Sequence, residues 1–374
     1  MIAIAVAMTL TGCADGGNLK SVTAIGEVLG DGAKTTAVAL EYDVPIDSTS
    51  LSASSFEVSG REVTRVYTNS QAAKDHSSYE GNYVIIELKT SISLETDFGP
   101  DKGRNGRKEE ARGERPEKQG AGMGIVAGNR PERKTNPFPI EAQVRQLLPI
   151  KSVKGKEIRD TTTQSATVSK ILVADDFIQS TYTDPTTGVT LRYNLFIPAT
   201  NDDKASYPLV LFMHDASGAN QEDRYTLLQG NGATVWASPE NQSEHPCFVL
   251  APQYDEIVVD DDFTATASAE ATIGLLEHIK GQYPVDPSRV YTTGQSMGCM
   301  MSYLLMSTHP DEFAAGMLVA GQWDPKVIGP MADKPLWLIT STGDAKSTGG
   351  AETALVLWAK AGAKEAMANR CRSA

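Results

Sequence analysis

Val290-Tyr291-Thr292-Thr293-Gly294-Gln295-Ser296-Met297-Gly298 is the stretch on which the fold of this chain turns. Its first four residues are β-branched or aromatic, the composition of a strand. The residues beyond it (Met300, Met301, Tyr303, Leu304 and Leu305) read as an apolar helix. Between the two, Gly294-Gln295-Ser296-Met297-Gly298 has the spacing G-x-S-x-G. In a strand–turn–helix context that spacing predicts a sharp turn with the serine hydroxyl exposed at its apex. Gly294 and Gly298 remove Cβ atoms that would obstruct the turn. A helix beginning at Met297 aims backbone N–H groups and the positive end of its dipole at the same point, which favours a developing oxyanion.

The flanks agree with that reading. From about Val168 onward apolar strand candidates alternate with longer helical stretches, the order expected of a mostly parallel sheet with covering helices. The strand candidates are residues 191–197, 209–213, 248–250, 290–293, 317–320 and 336–340; the helix candidates are 268–280, 297–308 and 352–361. Pro208-Leu209-Val210-Leu211-Phe212-Met213 is apolar without interruption, as a strand covered on both faces must be.

Three stretches carry a family resemblance: Asp286-Pro287-Ser288-Arg289-Val290-Tyr291 leading into the turn, residues 208–214, and Val249-Leu250-Ala251-Pro252-Gln253. The chain resembles α/β-hydrolase carboxylesterases of the polyhydroxybutyrate-depolymerase and feruloyl-esterase-like group, which often carry an Ig-like amino-terminal domain. The resemblance implies Ser296 as nucleophile. It implies an acid after a late strand, in the chain order Ser, Asp or Glu, His. Residues 336–340 lead to Gly343-Asp344, so Asp344 is the first acid candidate and Asp324, after the preceding strand, the second. The oxyanion donors would be the Met297 N–H and one from the loop after Met213, at Asp215 or Ala216. His214-Asp215 stands where the family usually has His-Gly, so the Asp215 carboxylate has to point away from a working site.

A serine nucleophile needs a base, and in this order the base follows the acid. The chain has five histidines, His76, His214, His245, His278 and His309, and none follows Asp344. His309 ends the helix after the turn, roughly 20 Å from Ser296 at 1.5 Å of rise per residue. His214 is expected to shape the oxyanion loop, with a substitute base as the alternative. His245 stands alone in a loop without metal-ligand spacing, so no metal is expected, and no cofactor. His76 and His278 read as solvated. The closing residues Asn369-Arg370-Cys371-Arg372-Ser373-Ala374 show neither a strand nor a helix pattern. Relative to the family, the hydrolase domain is therefore expected to be truncated or frameshifted, without its last strand, its histidine and its last helix. For a sandwich, an insertion and a full hydrolase domain, 374 residues is short.

Upstream the character is different. Residues 21–25, 36–40 and 83–88 are rich in β-branched residues and separated by Gly, Asp and Ser clusters, which predicts a small antiparallel sandwich. Residues 101–118 mix both charge signs with Gly and Pro and contain no large apolar side chain, so 97–137 reads as a flexible charged insertion. Gly122-Met123-Gly124-Ile125-Val126-Ala127 fits G-x-G-x-x-A, but no strand precedes it and no βαβ unit surrounds it, which excludes a dinucleotide site. Strand-like residues resume over 141–158. The expected organisation is a signal over 1–13, a linker over 14–20, an Ig-like sandwich over 21–160, and an α/β-hydrolase domain over 168–374.

Residues 1–10 are apolar and far short of the ~20 residues that span a bilayer, so they read as a signal h-region. Leu10-Thr11-Gly12-Cys13 resembles a bacterial lipobox, in which Cys13 becomes the lipidated first residue. The basic n-region is missing, so the true start is expected upstream. A chain so anchored works outside the cytoplasm, tethered to the membrane or secreted. With 34 Lys and Arg against 47 Asp and Glu the net charge is −13, which excludes a nucleic-acid partner. Four cysteines are too few for a disulfide scaffold.

The leading expectation is a serine hydrolase that cleaves small or polysaccharide-linked carboxylic esters through an acyl-enzyme on Ser296. Without the triad histidine its activity is expected to be weak, since loss of a base costs orders of magnitude in kcat. The alternatives are a peptidase using the same site and a non-catalytic, lipid-anchored binding protein. By analogy Trp236, Tyr254 and Trp323 stand near the site or in the packing around it.

Overall fold

Alternating burial marks two short strands of the amino-terminal half: Phe56 and Val58 are buried around exposed Glu57, and Val144 and Gln146 are buried while Gln143 and Arg145 are exposed. In the computed structural model residues 17–75, 77–91, 125–199 and 205–371 are described. The chain divides into two units, one of Met1–Glu27, Lys34–Ser91 and Ile140–Lys170, the other of Val28–Ala33, Ile92–Pro139 and Ile171–Ala374. Cys13, His76 and the charged stretch 101–118 lie outside the described residues.

The first unit is built on a five-stranded sheet in the order Val168–Ile171, Leu19–Leu29, Gly32–Tyr42, Tyr83–Leu88, Val63–Asn69. A three-stranded antiparallel sheet, Phe56–Val58, Gln143–Gln146 and Thr163–Ser165, accompanies it. Inward residues of both sheets, among them Val38, Ile86, Phe56 and Val144, share one core with Ile150. This is the expected sandwich.

The second unit is an eight-stranded sheet. Its strands are β1 (Ile178–Thr183), β2 (Thr190–Phe196), β3 (Tyr207–Met213), β4 (Phe248–Gln253), β5 (Val285–Gln295), β6 (Ala315–Val319), β7 (Leu336–Ser341) and β8 (Ala366–Cys371). They lie in the order β1-β2-β4-β3-β5-β6-β7-β8. β1–β2 and β2–β4 are antiparallel, and every later pair is parallel. The helices are α1 (Tyr225–Leu228), α2 (Pro239–Glu244), α3 (Ala267–Gln282), α4 (Met297–Thr308) and α5 (Ala345–Lys360). Leu209, Leu211, Phe248, Leu250, Leu275 and Leu276 are fully enclosed in its core. Each such side chain contributes roughly 1.5–3 kcal/mol of burial.

Two expectations are corrected here. The final strand is present: Ala366–Cys371 pairs in parallel with β7 from Leu336↔Ala366 to Ser341↔Cys371. Its sequence, Ala-Met-Ala-Asn-Arg-Cys, has no β-branched residue and five of its six residues are exposed, so no apolar pattern announces it. Residues 125–137, assigned by composition to the flexible insertion, fall in the second unit. They hydrogen-bond along it, with the Gly128 N–H to the Ile257 carbonyl at 2.8 Å and the Ile257 N–H to the Asn129 carbonyl at 2.8 Å.

Candidate active site

The turn between β5 and α4 holds Ser296 at φ 54°, ψ −114°, a region that L-residues rarely occupy. Strain of this kind costs about 1–3 kcal/mol and persists only where the surroundings enforce it. Here the Ser296 N–H donates to the Val319 carbonyl at 3.0 Å, and the Met300 N–H donates to the Ser296 carbonyl at 2.9 Å. The two glycines of the motif are sterically obligatory. A Cβ at Gly294 would lie 2.6 Å from the Met213 carbonyl oxygen, and one at Gly298 would lie 1.9 Å from the same atom. A third glycine escaped the sequence reading: a Cβ at Gly321 would meet Cys299 Sγ at 2.7 Å and the Ser296 carbonyl oxygen at 3.0 Å. The strand end after β6 thus closes on the turn from the other side.

Met297, Gly298 and Cys299 open α4, where the first N–H groups have no partner inside the helix. Met297 is buried and its sulfur accepts from the Val258 N–H at 3.4 Å. Ser296 is half-buried at the carboxyl edge of the sheet. Cys299 is enclosed, and burial pushes its thiol pKa well up, which leaves it inert beside the serine.

The loop after β3 is tightly specified. His214 is fully buried; its Nδ1 lies 2.6 Å from the Asp215 carbonyl oxygen and its Nε2 accepts from the Tyr254 N–H at 3.1 Å. Burial lowers its pKa below the ordinary histidine value, against the opposing pull of Asp215. Both ring nitrogens are committed and the ring is neutral. His214 therefore shapes the loop, and the substitute-base alternative is withdrawn. The Asp215 carboxylate accepts from the Ser217 N–H at 2.7 Å and the Ser217 hydroxyl at 2.6 Å, capping the short turn Ala216–Gly218. Held there, the Asp215 side chain serves its own loop, which leaves the N–H groups of Asp215 and Ala216 as the features to weigh at the site.

Asp344 follows β7, two strands from Ser296 along the same carboxyl edge, roughly 10 Å at the usual strand spacing. It also caps α5, its carboxylate accepting from the Ser347 N–H at 3.0 Å. Asp324 accepts from the Lys326 N–H at 2.9 Å in a turn after β6. The described histidines stand elsewhere. His309 caps the far end of α4, with Nε2 3.5 Å from Glu270 Oε1. Twelve helical residues lie between it and Ser296, so the two stand about 20 Å apart. His245 ends α2, and the His278 ring is half-buried with its centroid 4.9 Å from that of Tyr182. Among the described residues no cluster of three or more His, Cys, Asp or Glu could hold a metal ion.

The aromatic candidates divide. Tyr254 is fully buried, its hydroxyl 3.0 Å from Thr272 Oγ1, and it belongs to the core. Trp323 is buried edge-on against Phe263, centroids 5.5 Å apart. Trp236 is half-buried and lines a cavity of about 720 Å³ with Val210, Tyr291, Met317, Trp337 and Met367, along the sheet rather than at Ser296.

Comparison with known proteins accords with this architecture. Residues 21–159 match the family described as the esterase Ig-like N-terminal domain, and residues 264–345 match the prolyl oligopeptidase family. A solved structure described as a thermostable esterase is 29% identical with a TM-score of 0.78, over 94% of this chain and 91% of that one. The fold is an α/β hydrolase behind an Ig-like domain. In sequence, the chain is similar to a poly(3-hydroxyalkanoate) depolymerase C of Paucimonas lemoignei, 40% identical over 123 residues, 31% of this chain and 28% of that protein. A probable acetylxylan esterase A of Aspergillus flavus is 50% identical over 136 residues, 35% of this chain and 42% of that protein. The chain thus spans well under half the length of the curated relatives it matches.

Proposed function

We propose that this chain is a serine hydrolase that cleaves carboxylic esters through an acyl-enzyme on Ser296. The observation that carries the reading is Ser296 itself, held at φ 54° between β5 and α4. In the proposed reaction Ser296 Oγ attacks the acyl carbon and the hydroxyl proton passes to a base. The carbonyl oxygen turns toward the N–H groups of Met297 and of Asp215 or Ala216, the alcohol leaves, and water then releases the acid. Asp344 is the proposed acid. The names of the relatives favour an ester carried on a polysaccharide or polymer. Lipidation at Cys13 and a place outside the cytoplasm complete the proposal; labelling with radioactive palmitate should disappear in Cys13→Ser.

The base is the weak link, because no histidine follows Asp344 in these residues. A fluorophosphonate probe should label the 374-residue chain slowly. Added imidazole should quicken that labelling, and Ser296→Ala should abolish it. If imidazole leaves Ser296 unlabelled, the hydrolase reading gives way to a binding protein. The match of residues 264–345 to the prolyl oligopeptidase family favours a second reading, hydrolysis of a peptide bond at the same serine. Parallel assays of p-nitrophenyl esters and p-nitroanilide peptides separate the two.

A further inference from the structure

Residues 125–134 lie along the second unit with mostly exposed side chains and a turn at Ala127-Gly128; Ile125 packs against the core, and hydrogen bonds hold the rest. At one end the segment grips the chain after β4. The Ala127 N–H donates to Asp260 Oδ2 at 3.1 Å, beside the paired Gly128, Asn129 and Ile257 backbone groups. At the other end it grips the loop after β3. Asn220 Nδ2 donates to the Pro131 carbonyl at 2.8 Å, Gln221 Nε2 donates to the Glu132 carbonyl at 2.9 Å, and Gln221 Oε1 accepts from the Lys134 N–H at 2.8 Å. Arg133 returns a guanidinium bond to the Asn220 carbonyl at 3.2 Å and another to the Gln221 carbonyl at 3.1 Å.

We infer that residues 125–134 are a positioning strap for the oxyanion loop 215–221, with Gln221 as the side chain that reads it; the inference rests on the esterase reading above. Gln221 is 1% exposed, so its amide depends on protein partners. Its Nε2 also reaches the Ala219 carbonyl at 3.1 Å, inside the loop, and its own carbonyl accepts from Arg192 at 3.1 Å. On the opposite side the loop is fixed to the end of β4: the Asn220 N–H donates to the Tyr254 carbonyl at 2.9 Å and Gln253 Nε2 donates to the Gly218 carbonyl at 2.6 Å. The same loop begins against the nucleophile turn, where a Cβ at Gly298 would stand 3.0 Å from the His214 carbonyl oxygen. The loop that carries the Asp215 and Ala216 N–H groups is thus held by the end of β4 at Gly218 and Asn220 and by the strap at Asn220 and Gln221. Displacing such donors by about 1 Å weakens the transition state more than the ground state, so the strap acts on kcat.

The test compares wild type with Gln221→Ala, Gln221→Glu and Arg133→Ala in the full chain, by p-nitrophenyl acetate hydrolysis and by amide hydrogen exchange over residues 215–221. Gln221→Ala should lower kcat about tenfold or more with KM within about twofold, and exchange over the loop should quicken. Gln221→Glu keeps the acceptor for the Lys134 N–H, loses the donor to Glu132, and should fall between. Arg133→Ala acts from the exposed strap, so it decides the matter if Gln221→Ala fails to fold. Unchanged kcat, a change confined to KM, or unchanged loop exchange would overturn the proposal. If ester hydrolysis proves equal in wild type and Ser296→Ala, the esterase reading fails on its own, and loop exchange alone decides whether the strap holds the loop.

Discussion

At the scale of single residues the site is a set of groups with two possible duties each, and Asp344 is the clearest case. Its carboxylate caps α5 through the Ser347 N–H at 3.0 Å, and it follows β7 at the edge where Ser296 stands. A cap needs an acceptor oxygen, whereas a triad acid needs the charge. Asp344→Asn keeps the first and removes the second. Asp344→Ala should lower stability by about 1 kcal/mol and Asp344→Asn by only a few tenths, about 0.3 kcal/mol, measured by urea unfolding. Ester hydrolysis should fall in both variants alike. Full activity in Asp344→Asn would reduce Asp344 to a helix cap. The same separation of duties explains what the sequence showed of the site. Ser296 was legible because the two glycines of its turn are steric necessities written in the motif. Gly321, Gln221 and the backbone of Tyr254 were not, because their roles exist only once distant loops meet. That His214 is a scaffold rather than a base follows from its burial, which a one-dimensional reading does not contain.

At the scale of elements legibility tracked apolar content. The six interior strand candidates were announced by apolar, β-branched and aromatic residues, uninterrupted only over 208–213, and all six are found in the sheet. β1, with five of six residues exposed, and β8, equally exposed, were missed because edge strands bury little. α4 was placed to the residue, since it is buried along most of its length. α5 begins at Ala345, seven residues before the stretch expected from Glu352. Ser347, Thr348, Gly349 and Gly350 are poor helix formers, and the Asp344 cap with burial of Ser347 and Ala351 overrides them. That conflict gives a test within one helix. A Cβ at Gly349 meets nothing within 4 Å, while one at Gly350 would lie 2.6 Å from Gln322 Cβ. Gly349→Ala should stabilise the protein by about 0.5–1 kcal/mol, and Gly350→Ala should gain nothing or lose. Equal gains from both would mean that α5 does not pack against Gln322 as described.

For the whole molecule the charge balance and the buried histidine act in opposite directions on acidification. With a net charge of −13 the protein is far from its isoelectric point at neutral pH, so protonating its carboxylates relieves repulsion between them. His214 opposes that gain. Its folded pKa lies below the unfolded value of 6.5 because burial penalises the charged ring, with Asp215 pulling the other way and Arg192 adding to the depression. Below 6.5 the unfolded chain takes up a proton that the folded chain does not, so more protons are bound unfolded and stability falls as pH falls. Asp286 extends the trend further down. The Ser288 hydroxyl, Arg289 and the Ser288 N–H hold its pKa at about 2, so its contribution is present above its unfolded value and is lost as pH falls toward 2. The urea midpoint should therefore drop between about pH 7.5 and about pH 5.5, before any carboxylate of ordinary pKa titrates. His214→Gln removes the group responsible and should flatten that slope while lowering the midpoint at both pH values, since the Tyr254 N–H loses its acceptor ring. A slope unchanged in the variant would assign the acid sensitivity to another group and leave His214 without the neutral, buried state that its two hydrogen bonds require.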